Sequence, residues 1–175
     1  INVLAPNLNW HNVPIKEYLS AALHLPVVVD NNVRAMALGE THFGAGREVN
    51  SLVFVYGRIG VGAGLTFKGQ VYRGSAMGAG EIGHTIMLLQ DGEPCRCGNS
   101  GCLETLVSET SILRQAGQIV QFNPQGILAQ IMRERQDLDP IECVFTAARQ
   151  GDELVRTLLA ERAYYLGVAL VNLVN

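Results

Sequence analysis

The first hundred residues alternate short apolar runs with glycine-rich turns, and the pattern then changes to longer stretches of helical periodicity. "LPVVVD", residues 25–30, is an apolar, β-branched run and predicts a buried strand. In "NNVRAMALGETHFGAG" Asn31 or Asn32 is placed to cap a helix, Ala, Met and Leu carry it, and Gly44 or Gly46 stops it. "SLVFVYG", residues 51–57, predicts a second buried strand, and "GAGLTFKGQVYRG" predicts a hairpin turning at Lys68-Gly69. "SAMGAGEIGH" reads as a glycine-rich loop. From Leu103 onward the pattern is helical, with breaks near Asn123-Pro124, Asp139-Pro140 and Gly151-Asp152. The last helix is expected to begin at Asp152 and to run to Asn175 with no stop signal. Strands first and helices later give the α/β or α+β class, with no internal repeat or low-complexity segment.

Composition narrows the picture. At 175 residues, the expectation is one domain, or one and a part. An apolar fraction of 48% with 17% charged residues suits a globular protein with a core of its own. The net charge of −3 argues against this chain alone gripping a nucleic-acid backbone, which needs a basic face. No apolar run approaches the roughly 18–20 residues that a membrane span requires, so no membrane partner is expected. The chain opens on "INVLAPNLNW" without a Met or a signal peptide and stops inside an apolar helix, so it is expected to be truncated at both ends. Four cysteines clustered three to one do not form a disulfide framework, which leaves a cytoplasmic address as the default.

Three of those cysteines lie in "PCRCGNSGCLE", residues 94–104. His84 precedes Cys95 by eleven residues, Cys97 follows by two and Cys102 by a further five. Three thiolates and one imidazole make one of the usual structural zinc sets. The Cys-Arg-Cys spacing is tighter than the common two-residue gap, and Gly98 and Gly101 permit the sharp turn it demands. A zinc ion would also hold together thiolates that otherwise repel. Free thiols or a disulfide are the alternatives, and neither explains a glycine-bracketed cluster in a cysteine-poor chain. Cys143, in "PIECVFTAARQ", reads as a core residue, and His11, His24 and His42 have no context that suggests chemistry. Trp10 is a candidate for packing a lobe junction.

"GAGEIGHTIM" followed by "CRCGNSGCLE" closely resembles the signature of the ROK family of bacterial sugar kinases and sugar-responsive transcriptional repressors, with the repressor branch the nearer. "APNLNWHNVPI" is similar to the segment that ends that family's first lobe, and "LPVVVDNNVRAMALGETHFGAG" to its sugar-binding strand and helix. "VYGRIGVGAGLTFKGQVYRGSAMGAGEIGH" is similar to the second lobe's phosphate turn, hairpin and sugar loop. The resemblance implies an actin-like, ribonuclease-H-like ATPase fold of two α/β lobes around a cleft. Residues 1–46 would end the first lobe, and residues 47–175 would form the second, with the zinc-bound loop and a helical C-terminal part. It implies zinc on His84, Cys95, Cys97 and Cys102. It also implies a sugar facing Asn31, Asn32, Glu81, His84 and Glu104, and a homodimer. Carboxylates and amides suit a pyranose because its hydroxyls both donate and accept. A zinc-bound histidine can turn its other ring nitrogen to a ligand hydroxyl.

Against the kinases of that family, two places depart. Their Asn-Asp-x-Asn motif supplies a general base, and here the stretch is Asn31, Asn32, Val33, Arg34. An amide takes up no proton near neutral pH, so Asn32 can hydrogen-bond a sugar but cannot act as the base. Asp30 could substitute only if the backbone shifted. The phosphate turn keeps Gly60, Gly62 and Gly64, but Arg58 and Ile59 stand where the kinases have Gly-Thr, so a hydroxyl donor is missing. The expected function is therefore the sugar-binding effector region of a transcriptional regulator. DNA would be bound only through a separate winged helix-turn-helix not in this chain. An ATP-dependent kinase for a hexose or N-acetylhexosamine is the alternative, and a silent structural zinc domain is a third reading.

Overall fold

The computed structural model describes residues 4–5, 10–75 and 77–175. Two compact units divide the chain, one made of Ile1–Phe54 and Gly64–Tyr72, the other of Val55–Ala63 and Arg73–Asn175.

In the first unit β1 (Leu4–Ala5) pairs antiparallel with β2 (Trp10–His11), followed by α1 (Ile15–Leu23) and α2 (Asn32–Phe43). Most of "APNLNWHNVPI" lies outside the residues whose side chains are described. The sequence reading assigns no element at α1, a helix with no buried residue. The cap of α2 is as expected: Asn31 Oδ1 accepts from the backbone N–H groups of Val33 (2.8 Å) and Arg34 (3.3 Å), and Gly44 ends the helix. Val33, Ala37 and Thr41 recur every four residues and are buried. They pack where Gly64 has no side chain, since a Cβ there would come within 2.5 Å of Ala37 Cβ and 2.8 Å of Val33 O. The Thr41 and Thr66 hydroxyls meet at 2.9 Å and so satisfy each other in the core.

A three-stranded sheet has the order β3 (Ser51–Gly57), β4 (Val61–Phe67), β5 (Gln70–Tyr72). The hairpin turns at Lys68-Gly69 as the sequence predicts, and both residues have positive φ (50° and 78°), the requirement of a type I′ turn. Two strand readings are corrected. Residues 25–30 form no strand: Val28 is 89% and Leu25 61% exposed. A strand exists only beside a hydrogen-bonding neighbour, and none of the described residues pairs with this stretch. β3 is a strand, but a half-buried one, because it lies at the edge of the sheet.

The second unit is mainly helical, with α3 (Leu103–Val107), α4 (Glu109–Phe122), α5 (Ile127–Glu134), α6 (Pro140–Arg149) and α7 (Glu153–Val174). All three predicted breaks separate these helices. At α6, Asp139 caps the N-terminus through Ile141 N, and Pro140 occupies the first helical position, where its missing N–H costs nothing. The core joins Ile112, Ala116, Leu128, Ile131, Cys143, Val144, Ala147, Val155 and Leu158, so Cys143 is the core residue expected of it. Asp152, only 6% exposed, serves two helices: Oδ1 accepts from Val155 N of α7 (3.3 Å) and Oδ2 from Leu128 N of α5 (3.0 Å). α5 starts at Gly126 with no side-chain cap of its own, so Asp152 supplies one from another segment. By length and composition α7 could cross a membrane (22 residues, mean hydropathy 1.2), which corrects the reading that no run comes near that length. Arg156, Glu161 and Arg162 interrupt its apolar run, and its buried Val155, Leu158 and Ala169 belong to a helix that packs on α3, α4 and α6.

Candidate metal centre and ligand site

The loop after β5 leads into a single 3₁₀ turn, Ile82–His84, and is brought back by short backbone bridges, Ile86 to Cys102 and Pro94 to Ser100. Leu103 N donates to Thr85 O (2.9 Å), so His84 and Cys102 end on adjoining backbone. Between them the chain folds tightly: Cys95 N donates to Asn99 O (2.7 Å) and Gly98 N to Cys95 O (3.0 Å). Gly98 and Gly101 have φ of 95° and 72°, the left-handed conformation the spacing demands. Gly83 brings the 3₁₀ turn under β4, where a Cβ would come 2.2 Å from Val61 O.

This folding converges the four expected donors. Nδ1 of His84 and the Sγ atoms of Cys95, Cys97 and Cys102 all lie within 4.8 Å of one another. The His84 Nδ1 to Cys95 Sγ and Cys97 Sγ to Cys102 Sγ separations are each 3.6 Å. A tetrahedral ion with bonds of about 2.3 Å to sulfur needs edges of about 3.8 Å, so the donor set fits a tetrahedral metal. All four cysteines of the chain are free. Burial, followed by the neighbouring thiols, pushes the Cys102 thiol up to about 12, whereas a hydrogen bond from the Asn99 backbone holds exposed Cys97 below the usual thiol range. Three thiols crowded in this way disfavour charge, and a divalent cation removes the conflict by stabilising the thiolates.

The remaining candidates divide between the two units. In the second unit, His84 turns Nδ1 toward the thiols and so leaves Nε2 for another partner. Glu81 stands exposed at the start of the same 3₁₀ turn. Glu104, in the first turn of α3 and two residues past Cys102, directs Oε2 to Val61 N at 3.0 Å. In the first unit, Asn31 spends its side-chain oxygen on the α2 cap, and Asn32 is the exposed first residue of that helix.

Sequence reasoning missed three links. Asp30 Oδ1 binds Arg34 Nη1 at 3.0 Å and also accepts from Asn31 N at 2.8 Å. The i,i+4 spacing of Asp30 and Arg34 was the available signal. Arg58, on the turn between β3 and β4, bonds Glu109 (3.1 Å) and lies 3.9 Å from Asp139. These partners are 51 and 81 residues away in sequence, with no local pattern to announce them. The third is the Glu104 to Val61 bond. A shallow groove lined by Arg135, Leu138, Glu142, Phe145, Thr146 and Arg149 lies on the helical part and brings together none of the candidate residues.

Comparison with known proteins agrees with the motifs. The model of the ROK family matches residues 2–175. The chain is 38% identical over 174 residues to a xylose repressor of Caldicellulosiruptor bescii, covering 99% of this chain and 43% of that protein. It is 37% identical over 171 residues to a glucokinase of Halalkalibacterium halodurans, covering 98% of this chain and 52% of that one. The chain thus spans about half the length of these curated relatives. Among solved structures, a ROK family transcriptional regulator, a homologue of the E. coli MLC protein, superposes with a TM-score of 0.80 at 33% identity, over 95% of this chain and 41% of that one. A Streptomyces griseus ROK glucokinase in complex with glucose and AMPPNP superposes with a TM-score of 0.83 at 32% identity, over 97% and 55%.

Proposed function

The chain belongs to the ROK family, and from that premise we propose that it is the sugar-sensing part of a transcriptional regulator in which phosphotransfer has been lost. The observation that carries this reading is the base position. Asn32 is an amide, and the neighbouring carboxylate of Asp30 has its Oδ1 bonded by Arg34 and by the Asn31 backbone. A general base must be within reach of the proton it removes, and the Arg34 ion pair holds Asp30 toward its own helix. Arg58 supports the same reading, since its charge faces Glu109 and Asp139 and is not waiting for a phosphate. In this reading residues 1–46 close the first lobe and residues 47–175 build the second. Asn31, Asn32, Glu81, His84 and Glu104 bind the sugar, and Gly60 of the turn with Gly62 and Gly64 of β4 form a phosphate-type segment that no longer binds phosphate. Zinc held by His84, Cys95, Cys97 and Cys102 would supply structural rigidity and fix the His84 ring for a sugar hydroxyl. DNA would be reached through a separate domain of the whole protein, in a homodimer. Both a DNA-binding regulator and an ATP-using kinase work where DNA and ATP are, which supports a cytoplasmic address and no membrane partner.

The test uses the full-length protein, ATP and a panel of pentoses, hexoses and N-acetylhexosamines. A sugar-dependent rise in melting temperature without ATP consumption is expected, because a ligand that binds only the native state stabilises it. Loss of a positioned base typically lowers turnover about 100- to 10,000-fold without preventing binding. Asn32→Asp is expected to remain inactive, because Arg58 and Ile59 still replace the Gly-Thr of the turn. Sugar phosphorylation by the wild-type protein at ordinary enzyme rates would overturn the reading in favour of the kinase, which the glucokinase relatives keep as the alternative.

A further inference from the structure

The turn joining β3 to β4 is held by acidic side chains from the helical region. Glu104 Oε2 accepts from Val61 N at 3.0 Å, and a Cβ on Gly60 would lie 2.9 Å from that same oxygen. The carboxylate therefore rests against bare backbone, and a side chain at residue 60 would press on it. Glu109 grips the same turn twice: its N–H donates to Arg58 O (2.9 Å), and its carboxylate accepts from Arg58 Nε (3.1 Å). On the other side, Glu104 is tied to the metal centre. It follows Cys102, the N-cap of α3, whose carbonyl accepts from Thr105 Oγ1 at 2.7 Å. Oε1 of Glu104 makes no hydrogen bond among the described residues, and a carboxylate can accept at both oxygens.

We propose that Glu104 is a two-sided positioning residue: Oε1 receives a hydroxyl of the bound sugar while Oε2 fixes the β3–β4 turn through Val61, so that sugar occupancy is transmitted to that turn. The inference rests on the sugar-binding reading and adds a route by which binding is reported. The turn itself is the kind of element that opens locally: Ile59 is 58% exposed, Arg58 is exposed, and a few charge-assisted bonds do the holding. A sugar that restrains the carboxylate from one side makes its bond to Val61 longer-lived on the other. Coupling of this kind is reciprocal, so disturbing the turn must weaken the sugar by the same factor.

The experiment is amide hydrogen exchange on the full-length protein, alone and with saturating D-xylose or D-glucose, with melting temperature measured in parallel. Without sugar, Glu104→Ala is expected to speed exchange at Val61 at least about tenfold while the β4–β5 amides stay unchanged, the size expected for losing one charge-assisted bond. With sugar, wild-type exchange over residues 58–61 is expected to slow several-fold. Gly60→Ala, which sets a methyl group against Glu104 Oε2, is expected to speed exchange at Val61 and to weaken sugar affinity at least about fivefold. A melting-temperature rise with no change in exchange at Val61 would overturn this inference and leave the sugar-binding reading standing. Unaltered affinity in a folded Gly60→Ala protein whose Val61 exchange is faster would do the same. If no sugar of the pentose, hexose and N-acetylhexosamine panel shifts the melting temperature or the exchange, the transmission falls together with the sugar-binding reading, and Val61 exchange in Glu104→Ala still decides whether the latch exists.

Discussion

The loop from His84 to Glu104 and the helical cluster of α4 to α7 are built on opposite terms. The loop buries Leu103 at its end but leaves Leu89 93% exposed, and holds its shape by short bridges, two left-handed glycines and four converging donor atoms. The helical cluster has no such donors; nine buried residues at helical spacing interlock, and caps at Asp139 and Asp152 finish the ends. Chemistry holds the first together and burial the second. The loop should therefore be the part that a single ion makes or unmakes, and the cluster the part that only packing defects disturb.

Removal of the zinc proposed for the His84, Cys95, Cys97 and Cys102 donors is the largest perturbation available. Structural zinc sites contribute on the order of 10 kcal/mol or more to the fold of their loop, so a strong chelator or Cys97→Ser should abolish amide protection from His84 to Glu104 while the α4–α7 amides keep theirs. Metal analysis of the wild-type protein should give about one zinc per chain, and a folded, metal-free protein indifferent to chelator would break the contrast. Next in size is the reverse experiment. Leu128 is 1% exposed in the cluster, and Leu128→Ala should cost about 2–5 kcal/mol in denaturant unfolding with the metal content unchanged. Loss of zinc in that variant would show that the two regions stand or fall together. Asp152→Ala, which frees N–H groups on two helices at once, is expected to cost about 1–3 kcal/mol. Asp139→Ala removes a single exposed cap and should cost about 1 kcal/mol, with equal losses for the two aspartates arguing against a shared cap at Asp152.

Much of this contrast was legible along the chain. The three helix breaks, the Asn31 cap, the turn at Lys68-Gly69 and the His84, Cys95, Cys97, Cys102 set all depend on residues close in sequence, where capping, turn chemistry and ligand spacing are local physics. The strand expected at residues 25–30 failed because a strand is a property of two segments, and its pattern says nothing of whether a partner exists. α7 shows the converse, an apolar helix whose membrane-like length is visible only once charged residues are allowed inside the run.

By itself the sequence determined the breaks that separate α4, α5, α6 and α7, the four donors able to hold a metal, the family, and the amide at residue 32. Each is a matter of which atoms a residue carries or of dihedral preferences within a few positions. Only the tertiary structure decided that Asp152 caps a helix it does not belong to, that Glu109 holds Arg58, and that Glu104 reaches Val61 across 43 residues. A hydrogen bond forms between atoms about 3 Å apart in space, whatever their separation along the chain, and a carboxylate's partner is fixed by packing that no local pattern encodes.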